Sequence, residues 1–524
     1  MSTAEIVGSG PYVLGLDGGT EGMRVGLFDA LGQPVMFVRE AYESSHARPG
    51  WAEQSPQDWW DCAVRGVRRI LHEARIDPAA IAGMALACTS YTLVCSDEAG
   101  RPLRPAMMWM DVRARQEAED IAATGDESLR YTGYTHASAE WMPSKALWLK
   151  RHEPVTYSAS AWISDYVEWM GFRLTGERAA SVNSSAIRCY YDRLRGGWPE
   201  SLFEAVGASD LVGKLASRVL DMGEVVGHLT RAAGQEMGLR VGMPVAQGGA
   251  DAFVGMIGLG VVQQGSMALI TGSSHLHLLQ AQEPHYADGL FGAYTDAVIP
   301  GQFTVEGGQS STGSVINWFR RIVGSSAANG PSLVELSAMA GEIRPGSEGV
   351  MALDFWQGNR TPYVDADARG MFWGLSLHHG QGHMFRALLE SVCFGTENVL
   401  RTMRAHGHEI NDVVACGGAT NSPTWMQIHA DVSGLPIRTT AVPEAVTLGS
   451  AILASVGAGL YSSITEATAA MVRSGSVVEP NLRATEDYAP YMDLYVDTYQ
   501  AMKSLMRRSL SIENTAWERA EIQR

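Results

Sequence analysis

The 524-residue sequence is poor in basic charge, in cysteine and in long apolar runs, and each shortage removes a class of function. Forty Lys and Arg stand against 57 Asp and Glu, a net charge of −17. That deficit argues against general nucleic-acid binding, which needs a basic footprint, and against an anionic membrane surface as a partner. An anionic small substrate is compatible only if local groups gather the positive potential that the whole chain lacks. The six cysteines, Cys62, Cys88, Cys95, Cys189, Cys393 and Cys416, include no Cys-x-x-Cys pair. So few and unpatterned in a long chain, they read as reduced and cytoplasmic. No stretch approaches the ~20 apolar residues of a membrane span, and Met1 to Pro11 lack the basic-then-apolar order of a signal peptide. Gly-x4-Gly-Lys-Ser/Thr is absent, which excludes a P-loop. No Gly-x-Gly-x-x-Gly follows the first apolar run, which disfavours a dinucleotide fold.

What is present is apolar material and glycine. Apolar residues are 46% of the chain and charged residues 19%, enough for real cores and incompatible with general disorder. A single core stops growing beyond roughly 250–300 residues, so two domains are expected. The 57 glycines call for many tight turns rather than a helical bundle.

Two regions share a design. Tyr12 to Leu16 and Met23 to Phe28 are apolar runs joined through Asp17-Gly18-Gly19-Thr20, and Ser266 to Ile270 and His275 to Leu279 are joined through Thr271-Gly272-Ser273-Ser274. Each reads as a strand, a tight turn and a strand. Two such hairpins half a chain apart are what two similar α/β halves would produce. Trp60, Val64, Val67 and Leu71 recur at helical spacing after the start signals Ser55, Pro56 and Asp58. Ile81 to Ala87 reads as a strand, and Ser314 to Val323 and Met384 to Arg404 as helices. Strands alternating with helices imply α/β architecture. Gly324 to Gly330 reads as a surface loop. Residues 484–524 read as a closing helix, Asp493 to Leu510, with a loose tail.

Five segments can carry chemistry. In Asp17-Gly18-Gly19-Thr20 the glycines let backbone N–H groups approach an anion and the aspartate can hold a hydrated Mg²⁺, with Arg24 as a nearby cation. Alone, it is equally an ordinary glycine turn with a capping Asp. Thr271-Gly272-Ser273-Ser274 offers hydroxyls and backbone donors, or is a plain turn. Gln247-Gly-Gly-Ala-Asp251 sets an acid between small residues, either a general base or a helix N-cap. Glu306-Gly-Gly-Gln309-Ser-Ser-Thr-Gly313 is a strand-to-helix loop. Cys416-Gly417-Gly418-Ala419-Thr420-Asn421 leaves room for a flat ligand such as adenine, or is a plain βα turn.

Taken in order, Asp17-Gly-Gly-Thr20, Trp109-Met-Asp-Val-Arg113, Gly249-Ala-Asp251, Thr271-Gly-Ser-Ser274, Glu306-Gly-Gly-Gln309, Gly374 to Glu390 and Gly417-Gly418 resemble the FGGY carbohydrate kinases, from about residue 12 to about 461. The resemblance implies two actin-like (ribonuclease-H-like) domains with an ATP and sugar cleft between them, divided here as 1–262, 263–480 and a C-terminal helix and tail over 481–524. It implies phosphate transfer from ATP to a sugar or polyol hydroxyl. Asp251 matches the family's catalytic base and Asp17 its Mg²⁺-associated aspartate. Gly18, Gly19, Thr20 and Arg24 match the first phosphate segment, and Thr271, Gly272 and Ser273 the second. Gly417, Gly418 and Asn421 match the adenosine segment. Trp109, Asp111 and Arg113 match a stretch near the sugar. The family often dimerises, so a homodimer is an expectation.

Cys88-Thr89-Ser90-Tyr91 stands where xylulokinases carry Gln-Met-His-Gly, and the Arg-Glu-Thr of glycerol kinases is also missing there. Ser90 remains a substrate candidate by position. Asp17-Gly-Gly-Thr-Glu21-Gly-Met-Arg24, Glu306-Gly-Gly-Gln309-Ser and Met426-Gln-Ile-His429-Ala-Asp431 resemble ribulokinase-like members, in which the glutamate matching Glu306 contacts the ketopentose. Arg188-Cys189 departs from that branch's Lys–Trp pair. The acceptor is therefore read as ribulose-like, with xylulose or an alditol such as ribitol or erythritol as the other readings. An actin-like ATPase without a sugar, or a silent sugar sensor, is disfavoured by the sugar segments and by intact Asp17 and Asp251. The fourteen tryptophans read as packing. His275, His277, His378, His379 and His383 read as packed or hydrogen-bonded residues rather than metal ligands.

Overall fold

The computed structural model describes residues 10–324 and 331–522. Most of the expected loop at Gly324 to Gly330, and most of the N-terminal segment, lie outside the described residues. The chain forms two compact units that interleave along the sequence. The first takes residues up to Gln263, then Gln280–Val305 and Glu444–Arg473; the second takes Gln264–Leu279, Glu306–Pro443 and Ser474 onward. A consecutive division at residue 262 therefore differs from the compaction, because two later segments pack with the first unit.

The first unit is built on a mixed sheet in the order Val225–His228, Pro244–Ala246, Ile81–Cys88, Tyr12–Gly18, Gly22–Asp29, Pro34–Ala41. Tyr12–Gly18 is buried at every position, as a strand covered on both faces requires. It pairs antiparallel with Gly22–Asp29 and parallel with Ile81–Cys88. The helix Pro56–Glu73 starts at the expected proline. Its buried face runs along Trp59, Trp60, Ala63, Val67 and Ile70, with Val64 and Leu71 at the margin. The helix Ala445–Gly457 crosses Asp251–Gly258 at backbone contact: a Cβ on Gly258 would stand 1.9 Å from the Ala445 carbonyl oxygen, and one on Gly449 2.0 Å from that of Val254. Only glycine permits that approach. It explains why Glu444–Arg473 packs with residues hundreds of positions earlier.

The second unit repeats the plan. Its strands run in the order Phe303–Gln309, His275–Ala281, Gly265–Thr271, Ile410–Gly417, Ile437–Thr440, Ser474–Val478. Gly265–Thr271 pairs antiparallel with His275–Ala281 and parallel with Ile410–Gly417, as the first hairpin pairs with Ile81–Cys88. The helices expected at Ser314 and Met384 are Gly313–Val323 and Gln381–Ala405. The closing helix is longer than expected at both ends: it spans Leu482–Ile522 and runs through Pro490, so the expected loose tail after Leu510 is helical to Ile522. Burial of Tyr488, Met492, Tyr495 and Tyr499, spaced four, three and four apart, holds that helix on the unit. All six cysteines are free, and among the described residues no helix is long and apolar enough to cross a membrane.

Candidate active site

The hairpin register of the first unit sets Asp17 opposite Arg24. Arg24 Nη1 donates to Asp17 Oδ2 at 2.8 Å, and Asp17 is almost fully buried. Burial raises its carboxyl above the usual range, and the Arg24 guanidinium opposes that rise. The turn that follows is tightly held. Gly18 lies so close to Tyr166 that a Cβ would stand 2.5 Å from its hydroxyl, and the Tyr42 hydroxyl donates to the Gly19 carbonyl. Gly19 N–H closes the turn on the Gly22 carbonyl. The Thr20 hydroxyl accepts from Trp109 Nε1 at 3.1 Å.

The strand Ile81–Cys88 runs parallel beside this turn, so Thr89 N–H donates to the Gly18 carbonyl and Cys88 N–H to that of Gly249. Ala250 is the N-cap of the helix Asp251–Gly258, and Asp251 is its first residue, not the cap itself. Asp251 Oδ1 accepts from Ala252 N–H at 2.7 Å. Desolvation and the nearby charge of Asp17 push the Asp251 carboxyl up to about 7, against the pull of Ala252 N–H and Arg188. A base poised near neutrality is what proton abstraction from a hydroxyl needs.

Three candidate residues carry a buried polar atom without a hydrogen-bond partner among the described residues: Asp17 Oδ1, Ser90 Oγ and Arg113 Nη1. Buried polar groups are rarely left so, and a ligand is one way to satisfy them. Asp17 thus offers one carboxylate oxygen to a cation while the other stays on Arg24. That fits Mg²⁺, which keeps several waters and needs few protein donors.

The Trp109–Arg113 stretch divides. Trp109 reaches Thr20, but Asp111 and Arg113 turn to each other. Asp111 accepts from Ala52 N–H at 2.7 Å and from Arg113 Nη2 at 2.7 Å. Arg113 also bonds Glu53 at 2.8 Å, and its guanidinium stacks 3.5 Å from the Trp51 ring centre.

Sequence reading missed Lys145, which is fully buried. Its ammonium donates to the carbonyls of Tyr91, Met108 and Trp109 at 3.0, 2.7 and 3.4 Å. Burial pulls it down to about 8. The available signal was positional: on the helix Met142–His152, Lys145 lies in line with the buried Trp141, Trp148 and Leu149. Asp165 was also missed. It caps the helix Tyr166–Thr175, accepts from Thr92 N–H at 3.0 Å and from Ser184 Oγ at 2.7 Å, and so fixes the end of the Ser90 turn.

In the second unit the glycine turns are fastened to one another. The Thr271 hydroxyl donates to the Cys416 carbonyl at 2.7 Å and accepts from Ala419 N–H at 3.1 Å. That hydroxyl is thereby engaged within the chain. Gly417 has φ +94°, and a Cβ there would stand 1.9 Å from the Thr271 carbonyl oxygen. Gly272 N–H closes on Ser274, while the Gly272 and Ser273 carbonyls receive Gly313 and Thr312 N–H. Gly272, Ser273, Gly418 and Asn421 remain exposed along this edge. Glu306 is buried on Phe303–Gln309. Gln309 of the same strand bonds Asp354, Val392 and Thr396, which locks the strand to the helix Gln381–Ala405. Behind the Thr271–Ser274 turn, His275 packs 5.7 Å from the rings of Trp425 and His429. Burial drives His277 to about 4 and His429 to about 3, so both are neutral packing residues, as expected for His277.

Comparison with known proteins bears on both units. Residues 12–258 match the N-terminal domain, and residues 267–458 the C-terminal domain, of the FGGY family of carbohydrate kinases. An FGGY carbohydrate kinase domain-containing protein of Xenopus laevis is 30% identical, covering 90% of this chain and 93% of its own length. A ribulokinase of Geobacillus thermodenitrificans is 30% identical, with 92% and 93% covered. The crystal structure of a xylulose kinase from Rhodospirillum rubrum superposes with a TM-score of 0.85 at 26% identity, covering 95% of this chain and all of that one. The agreement of both family domains, relatives over nine tenths of the chain and a whole-length structural match leaves one assignment: the chain belongs to the FGGY family of carbohydrate kinases, with the actin-like α/β fold of that family, and is a sugar kinase that takes ATP as co-substrate.

Proposed function

We propose that the acceptor is a ketopentose of the ribulose type and that Asp251 is the general base. The observation that carries this reading is the desolvated Asp251 carboxyl, held near neutrality beside the Asp17 turn. Asp251 accepts the proton of the attacking hydroxyl as its oxygen bonds the γ-phosphorus and the bond to the β-phosphate oxygen breaks, releasing ADP. Asp17 would hold, through water, a Mg²⁺ that neutralises charge on the ATP phosphates. Arg24, Gly18 to Thr20 and Thr271 to Ser273 serve the phosphates, and Gly417, Gly418 and Asn421 the adenosine. Thr271 acts in this reading by shaping its turn, since its hydroxyl is engaged by Cys416 and Ala419. Ser90, Glu306 and the Trp109–Arg113 stretch serve the sugar. Arg113 and Asp111 do so as a mutually paired support, with Arg113 Nη1 the atom left for a contact.

The ribulose assignment is supported by the Asp17–Arg24, Glu306–Gln309 and Met426–Asp431 segments and by the ribulokinase relative. Xylulose is the second reading, because the Rhodospirillum rubrum neighbour is named a xylulose kinase. The same proposal places the enzyme in the cytoplasm, where its six free thiols stay reduced, and has it act as a homodimer. The test is ADP release over a panel of ketopentoses, aldoses and alditols, with and without Mg²⁺. Highest kcat/KM on ribulose supports the proposal; preference for xylulose or an alditol overturns the acceptor, and ADP release indifferent to any sugar overturns the site reading.

A further inference from the structure

Three histidines and a glutamate gather on the second unit, and none of them has a catalytic or binding role in the reading above. Glu348 Oε2 lies 3.0 Å from His378 Nε2 and 3.6 Å from His383 Nε2, and the three ligand atoms fall within 4.8 Å of one another. His379 packs beside them, its ring centre 5.6 Å from that of His378 and 5.1 Å from that of His383. We propose that Glu348, His378 and His383 bind a first-row divalent transition cation of the Zn²⁺ class.

The donor set selects the ion. Two imidazole nitrogens and one carboxylate oxygen suit Zn²⁺, Ni²⁺ or Cu²⁺, whereas Mg²⁺ and Ca²⁺ take oxygen ligands. Three protein donors leave a fourth tetrahedral position for water. The His378 side chain is 70% exposed, so an ion reaches the cluster from solvent. The carboxylate is presented by a strained turn: Ser347 and Glu348 both adopt left-handed backbone, φ 48° and 53°. That turn is tied to the helix Gln381–Ala405 through Gly346 N–H and Ser347 Oγ, both on the Glu390 carboxylate at 3.0 and 2.8 Å. Arg344 Nε stands 3.9 Å from Glu348 Oε1, which leaves Oε2 to the histidines.

The second ring nitrogens add a consequence. Gly380 N–H donates to His383 Nδ1 at 3.2 Å, so the ring proton of neutral His383 sits on Nε2, facing the carboxylate. A cation on Nε2 displaces that proton, and the neutral ring must then carry a proton on Nδ1, which breaks the Gly380 contact. His379 is committed differently, with Nδ1 accepting from Ser376 N–H at 2.9 Å and Nε2 on the Glu348 carbonyl, and it is not counted as a ligand.

The full-length protein, stripped with chelator and kept in excess Mg²⁺, is titrated with Zn²⁺ by calorimetry. The expected result is one saturable Zn²⁺ whose affinity falls at least about tenfold in His378→Gln and in His383→Ala, with faster hydrogen exchange at amides 380–384 when Zn²⁺ is bound. His378→Gln alters an exposed side chain, so its metal-free melting temperature should match the wild type, and loss of Zn²⁺ there reads as loss of a ligand. No saturable Zn²⁺ in the wild type, or undiminished affinity in His378→Gln, overturns the site.

Discussion

Lys145 Nζ donates to the main-chain oxygen of Met108 at 2.7 Å, and the same ammonium reaches Tyr91 and Trp109. One buried cation thus clasps the two segments that carry Ser90 and Trp109. Lys145→Met should remove the ammonium from the Tyr91 and Trp109 carbonyls and leave the Met108 carbonyl with Asp111 N–H alone, at about 1–3 kcal/mol for each buried group left unpaired, and lower the melting temperature by several degrees. Lys145→Arg should not restore it, since a planar guanidinium does not reproduce a compact ammonium. Thermal melts of both variants, with KM for sugar set against KM for ATP, check this: the sugar KM should rise and the ATP KM hold.

Asp251 gives a pH signature with two opposite readouts. Its carboxyl titrates near 7 in the folded protein, above the usual 3.8. Turnover that needs the ionised base should fall about tenfold per pH unit below 7, and Asp251→Asn should lose a factor of roughly 10²–10⁴ while ATP binding persists. Stability runs the other way. A raised carboxyl binds its proton in the folded state between pH 3.8 and 7, so its favourable contribution is present at low pH and lost as pH rises through 7. Asp251→Asn should therefore be more stable than wild type at pH 8, by up to a few kcal/mol at about 1.4 per pKa unit, and the advantage should vanish near pH 4. Melts of both proteins across that range decide it.

Asp17→Asn should raise the Mg²⁺ concentration needed for half-maximal ADP release by tenfold or more, on the order of what one lost carboxylate contact to a cation commands. Arg24→Ala should instead leave the buried Asp17 carboxylate without its partner and cost about 1–3 kcal/mol of stability, since the guanidinium itself is partly exposed. A Mg²⁺ titration of activity and a denaturant melt separate the two effects.

Gly417→Ala forces a Cβ to 1.9 Å of the Thr271 carbonyl oxygen at φ +94°. The joined turns must part to accept it. Expected are a loss of more than about 1 kcal/mol and a raised KM for ATP with the sugar KM unmoved. Steady-state kinetics in both substrates would expose a wrong assignment if the sugar KM moved instead.

The local parts of this molecule were legible in its residues. Asp17 and Arg24 could be placed on one glycine hairpin, whose register turns that spacing into opposition. The helix at Pro56 was legible because a proline start and apolar spacing are encoded within a few turns. Lys145 was not, because its carbonyls come from residues 36 to 54 positions away. Nor was the engagement of Thr271, whose hydroxyl answers to Cys416, 145 positions on. Asp111 and Arg113 showed their types but not that they would face each other. The interleaving of Gln280–Val305 and Glu444–Arg473 with the first unit was hidden for the same reason: backbone contact at Gly258 and Gly449 depends on what the whole chain has brought together.

That interleaving has a consequence for synthesis. A ribosome delivers the strands of the first sheet early, but the helix Ala445–Gly457 that packs against Tyr12–Gly18 and Ile81–Cys88 leaves the exit tunnel only after more than four fifths of the chain has been made. Until then an apolar sheet face waits uncovered. Translation halted before residue 445 would yield a nascent chain that holdase chaperones retain, and a chain ended and released after residue 473 would hold every segment of the first unit and be able to close it.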